Sequence, residues 1–183
     1  MKKIALVSNG DFRDDSGIHS WIKQEETLKA VEAAIAELGA ESYRTHPFKN
    51  DKGHGFITTQ TEGCRVLSQL EPGTPVIFVL SCWAYSHHIA SSMKLHEGPK
   101  LILANFDGTW PGLVALLNHS ATLERIDVPH SRMWTDKFAD DPAFMKNLRT
   151  WIDTGRVDYP MDHITPLKDL KLSKESQDLG RRL

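Results

Sequence analysis

Three short segments hold the residues whose types and spacing could do chemistry. Ser81-Cys82-Trp83-Ala84-Tyr85-Ser86-His87-His88 gathers two aromatics, a thiol and two imidazoles. Aromatic faces suit the C–H face of a sugar, and hydroxyls and imidazoles suit its oxygens. Cys82 with His87 or His88 is a possible nucleophile–base pair, although the sequence shows nothing that would activate the thiol. A metal set is incomplete there, because adjacent histidines usually point apart and no Asp or Glu joins them. Ser8-Asn9-Gly10-Asp11-Phe12-Arg13-Asp14-Asp15-Ser16-Gly17 sets one arginine among three aspartates. It is neither Gly-x-Gly-x-x-Gly nor a P-loop, and its carboxylates would repel phosphate. In Asn105-Phe106-Asp107-Gly108-Thr109-Trp110-Pro111-Gly112, Asp107-Gly108 makes a turn, Thr109 is a candidate N-cap and Pro111 suits the first helical turn. Backbone N–H groups at such a helix start can receive a ligand oxygen. Each segment also has a plain structural explanation: a solvated charged loop, packed aromatics with capping hydroxyls, and a helix cap.

The elements that must position these segments alternate between two patterns. Ile4–Val7, Pro75–Leu80 and Lys100–Phe106 are continuous apolar runs, the mark of parallel strands covered on both faces. Glu41–His46 supplies a further strand stopped by Pro47, and Arg132–Trp134 a short edge strand. Between them, Glu25–Leu38 carries Leu28, Val31, Ile35 and Leu38 at helical steps, with Gly39 placed to end it. Helical spacing also runs through Ile57–Leu70, Ser86–Leu95, Leu113–Ala121 and, from Asp141-Pro142 to Gly155, a last strong helix. The alternation predicts an α/β fold: a doubly wound, flavodoxin/Rossmann-like three-layer sandwich on a mostly parallel sheet of about five strands. In such sheets ligands bind outside the carboxyl ends of the strands, where all three segments fall.

Composition narrows the function classes. The chain has 183 residues, 40% hydrophobic and 25% charged, with a formal net charge of -2, so no global attraction to nucleic acid or to an anionic membrane is expected. No apolar run approaches the roughly 18 residues of a membrane span, and the apolar stretch at Ile4–Val7 is too short for a signal peptide. Two widely spaced cysteines, Cys64 and Cys82, indicate neither a zinc knuckle nor a disulfide framework, and a reduced, cytoplasmic setting is expected.

The chain resembles the N-terminal domain of the L-fucose isomerase family, within the fucose/arabinose isomerase group. Cys82-Trp83-Ala84-Tyr85 and Asn105-Phe106-Asp107-Gly108-Thr109-Trp110-Pro111-Gly112 carry the resemblance, together with their spacing and the Arg13-containing first loop. It covers most of residues 1–165. The resemblance implies a domain that contacts the sugar and supports oligomer formation in a longer aldose–ketose isomerase. Such enzymes use a divalent metal, typically manganese, held by residues of other domains, so no cofactor and no turnover are expected of this chain alone. On the matching positions, the resemblance makes Arg13, Trp83, Tyr85, Asp107 and Trp110 the substrate-binding candidates, with no catalytic or metal residue. The loop around Arg13 carries more acid than the family pattern. A homo-oligomer and a sugar substrate, bound weakly or not at all by this chain alone, are the expected partners.

Residues 1–160 are expected to form the domain, with 161–183 a linker and the start of a helix that leads into a second domain. Leu172, Leu179 and Leu183 share a helical face there, and Ser173 is a candidate N-cap. The alternative is a free-standing flavodoxin-like module binding a small sugar or nucleotide.

Overall fold

The computed structural model describes residues 3–158 and 172–181. Five strands, β1 (Ile4–Val7), β2 (Ser42–Arg44), β3 (Val76–Leu80), β4 (Lys100–Asn105) and β5 (Ser131–Thr135), form one sheet in the order β2-β1-β3-β4-β5. Every pairing is parallel, with Leu6 opposite Arg44 and Ile77, and Leu103 opposite Val79 and Met133. Parallel strands must be covered on both faces, and side chains two apart share a face. Ala5, Val7, Phe78, Leu80, Ile102 and Ala104 accordingly enter one core, beneath α2 (Gln60–Ser68), α3 (Ala90–Leu95) and α4 (Gly112–Arg125). Leu6, Ile77, Val79, Leu101, Leu103 and Met133 enter the other, beneath α1 (Asp14–Glu37) and α5 (Pro142–Thr154). This is the expected three-layer α/β sandwich. The strand order reverses between β1 and β3, so the loops after those two strands diverge and leave room between them for a ligand.

Helix ends follow local chemistry. Asp141 caps α5 by accepting from the Ala143 and Phe144 amides, Pro142 follows it, and Gly155 closes the helix at φ 76°. Thr59 caps α2 through the Glu62 amide at 3.2 Å, so that helix begins at Gln60 rather than Ile57. Ile57 instead continues the sheet: its amide donates to the Ser8 carbonyl at 2.9 Å, and its carbonyl accepts from Gly10 at 3.0 Å. Helix α1 starts eleven residues before the apolar periodicity does, at Asp14 rather than Glu25. Asp14 and Asp15 lie in its first turn, where the helix dipole favours carboxylates. Pro111 and not Thr109 occupies the cap position of α4, and it makes no side-chain cap. The expected helix over Ser86–Leu95 is a 3-10 turn, Ser86–His88, followed by α3.

A sixth α-helix, α6 (Lys174–Gly180), precedes the end of the described chain, and at its start the Ser176 amide donates to the Ser173 hydroxyl at 3.1 Å. Most of the expected linker, residues 161–171, lies outside the described residues, as do Leu183 and the side chain of Leu179 from the expected apolar face. Among the described residues, no helix is long and apolar enough to cross a membrane.

Candidate functional site

The carboxyl ends of β1 and β3 are stitched together beneath the surface. Gln24, fully buried on α1, donates to the Ser8 hydroxyl at 2.9 Å and the Val79 carbonyl at 2.8 Å. Its carbonyl accepts from the Ser81 amide at 3.0 Å and hydroxyl at 2.6 Å. One amide side chain thus satisfies groups from both strands of the switch point, which burial would otherwise make costly. Asn9 makes the companion link, donating to the Tyr85 carbonyl at 3.1 Å and lying 3.0 Å from Nε2 of His119 on α4. Nδ1 of His119 sits 2.7 Å from the Ala115 carbonyl, an acceptor only, so Nδ1 carries the proton and Nε2 accepts from Asn9. Burial pushes His119 down to about 4, which keeps the ring neutral in that role.

Above this layer the 81–88 loop carries an aromatic shell. Trp83 and Tyr85 meet edge to face at 5.5 Å, and Phe12 and His87 each lie 5.4 Å from Tyr85. Asn118 of α4 holds the loop through the Ala84 carbonyl at 3.2 Å, and Ser86 meets Thr122 at 2.8 Å. Gly63 lets α2 press against the loop's end, because a Cβ there would fall 1.9 Å from the His88 carbonyl oxygen. The His87 and His88 rings do not point apart as adjacent histidines usually do; they pack edge to face at 4.5 Å, with His88 buried and His87 exposed.

The first loop supplies the charged part. Asp11 is only 3% exposed, and its two carboxylate oxygens accept from Arg13 Nε at 3.0 and 3.1 Å and from Nη2. The Arg13 amide donates to the same carboxylate at 3.0 Å. The guanidinium hydrogen bond holds the Asp11 carboxyl below the usual range, and Arg13 itself is exposed, 5.9 Å from the centre of the Phe12 ring. A strap formed by residues 47–59 fixes this loop from the other side. Lys49 pairs with Glu62 at 2.5 Å, Lys52 pairs with Asp14 at 3.1 Å, and Phe56 covers Gly10, where a Cβ would come within 2.7 Å of its ring.

Of the five expected site residues, the structure brings three together. Arg13 reaches Tyr85 through Phe12, and Trp83 packs on Tyr85. Asp107 has other partners: Lys23 of α1 at 2.6 Å, and the Thr109 amide at 3.0 Å and hydroxyl at 2.6 Å. Burial would raise the Asp107 carboxyl, but Lys23 and Thr109 outweigh it and hold the group well below the carboxylate range. Its observed work is to tie the loop after β4 to α1. Trp110 stands 37% exposed at the start of α4, and Val114 and Leu117 are exposed further along that helix. Cys82 is buried and its thiol is pushed up to about 11 by that burial, which removes the chemistry of a thiolate nucleophile at neutral pH. Among the described residues, no three His, Cys, Asp or Glu side chains are grouped so as to hold a metal ion.

No family model matches the chain, and no curated protein matches it.

Gln24, Asn9, His119 and the strap were not among the expected site residues. Asn9 and Asp11 sit in the carboxylate-rich loop already singled out, so their position was visible. Gln24 lies mid-helix and His119 is 110 residues from its partner, and nothing local marks either.

Proposed function

We propose that this chain is a sugar-contacting domain, with Phe12, Trp83 and Tyr85 as the apolar platform and Arg13 as the donor, and that it serves an L-fucose isomerase-like aldose–ketose isomerase. The observation that carries the reading is the pairing of an open aromatic shell with a neutralised, outward-facing guanidinium at the β1/β3 switch point. Pyranose rings present C–H faces to aromatic rings and hydroxyls to N–H donors, and both are supplied here within one loop pair. The residues that carry the family resemblance and the residues that converge in space overlap at Arg13, Trp83 and Tyr85. Phe12 and His87 are exposed and Trp83 and Tyr85 half-buried, which suits a site completed by a second protein surface. The exposed Trp110 just before α4 and Val114 and Leu117 along it support self-association on that side.

Phosphates are not the chemistry this site favours. The carboxylates of Asp11, Asp14 and Asp15 crowd the start of α1, where a nucleotide-binding domain of this fold would present bare amides to phosphate. One observation favours a second reading, a free-standing binding module for a flat ligand such as a nucleotide base. A cavity of about 350 Å³ opens between β1, β2 and α1, lined by Leu28, Trp21, Phe48, Thr45 and His46.

Titration with L-fucose and with adenosine monophosphate, followed by tryptophan fluorescence, separates the two readings. The sugar reading expects an L-fucose response that Trp83→Ala weakens by roughly tenfold, the worth of one aromatic contact. A response to the nucleotide that is insensitive to Trp83→Ala and lost with Trp21→Ala, with none to the sugar, contradicts it.

A further inference from the structure

The pairing of Asp11 with Arg13 is unusual in its asymmetry. The carboxylate is 3% exposed on its side chain and the guanidinium 63%. A carboxylate buried with a single cationic partner needs that partner for its own stability, so the contact is not an optional surface ion pair. Its geometry is also restrictive. Nε and Nη2 both donate to Asp11, which leaves Nη1 without a partner among the described residues. The plane of a bidentate guanidinium is fixed by the carboxylate it meets. The Arg13 amide bond to Asp11 and the cap position of Arg13 at the start of α1 fix the backbone as well. The strap then clamps the first turn of α1 through Lys52 and Asp14.

We infer that Asp11 is a positioning residue for the sugar site: it sets the plane of the Arg13 guanidinium, directs Nη1 outward, and cancels the charge that would otherwise draw anions. The inference rests on the sugar reading for its ligand, and on the Asp11–Arg13 geometry alone for its mechanism. It assigns to Asp11 a share of the selectivity, since a free arginine at this position would accept an acidic or phosphorylated sugar more readily than a neutral one.

The test follows two signals on the ¹⁵N-labelled full chain. The first is hydrogen exchange at Arg13 Nε–H. The unmodified chain should show a protected signal, and Asp11→Asn, which keeps the shape and one acceptor oxygen, should speed its exchange by about tenfold through loss of the charge-assisted fork. The second is relative affinity for L-fucose and L-fucose 1-phosphate. Asp11→Asn should shift preference toward the phosphate by about tenfold, because a unit charge is uncovered near the ligand. A freely exchanging Arg13 Nε–H in the unmodified chain overturns the inference without any variant, and so does an Asp11→Asn chain with unchanged exchange or unchanged preference. Should the exchange respond while neither sugar binds the unmodified chain, the positioning geometry is upheld and the sugar reading falls.

Discussion

The two ends of the same sheet are built on opposite principles. At the amino ends lie two cavities of about 610 Å³ each, one lined by Lys94, Lys100, His130 and Arg156 beside Glu97 and Asp127, the other by His130 and Arg132 beside Glu124 and Asp127. At the carboxyl ends the space between β1 and β3 is filled by Gln24, Asn9, Asp11 and His119, and the ligand-type side chains stand on top of that filling. The amino-end cations have an architectural cause. Helices α3 and α4 end there with Lys94 and Arg125 in their last turns, and helix carboxyl termini favour positive charge. Lys100 shows it directly, donating to the carbonyls of His96 at 2.5 Å and Gly98 at 3.0 Å. Volume therefore marks where helix ends splay apart. Buried polar side chains with partners on several elements mark where loops are held in one geometry, which is what a binding site requires.

If that distinction is right, breaking the two ends should have unequal effects. The largest belongs to Gln24→Leu, which leaves the Ser81 amide and hydroxyl buried without their acceptor and should cost about 3–5 kcal/mol in urea unfolding. Lys100→Met keeps the apolar stem and removes an ammonium that only caps carbonyls, so about 1–2 kcal/mol is expected. Equal losses would mean that the switch-point stitch is no more structural than a helix-end lysine.

A smaller and more specific difference lies in pH. His119 is held at about 4 by burial, below its ordinary 6.5, so the unfolded chain binds the extra proton first. Its contribution is complete above about pH 6.5 and is lost as pH falls toward 4, up to roughly 3 kcal/mol. Lys100 is also depressed by burial, but from 10.5, so its effect appears only in alkaline solution, where stability rises with pH. Unfolding midpoints measured between pH 4 and 7 should therefore lose part of their slope in His119→Gln, the rest belonging to His46, which burial also pushes down to about 4, and keep the wild-type slope in Lys100→Met. An unchanged slope in His119→Gln would show that the ring is not buried neutral.

The sequence made the frame of this site visible and hid its fixings. Strands β1, β3 and β4 were legible because strands covered on both faces are continuous apolar runs, and the loops after them follow by position. The first half of α1 was not legible. Ile18 and Ile22 lie on its exposed side while Gly17, Ser20 and Gln24 face inward, so its pattern is the reverse of an amphipathic helix. The strap was hidden for a related reason. Its buried residues include His54 and Gly55, and a glycine at 55 is needed because a Cβ would lie 2.4 Å from Trp21, a contact that only the folded chain creates. Asp107 shows the opposite case, a residue placed at the right strand end whose charge is taken up by Lys23.

The most direct test of the account is a map of where L-fucose acts on the backbone amides of the labelled chain. Shifts confined to Asn9–Arg13 and Trp83–His88 are expected, with the Trp83 indole N–H among them, and none at residues 96–100 or 127–131. Shifts centred on the amino-end cavities would contradict it.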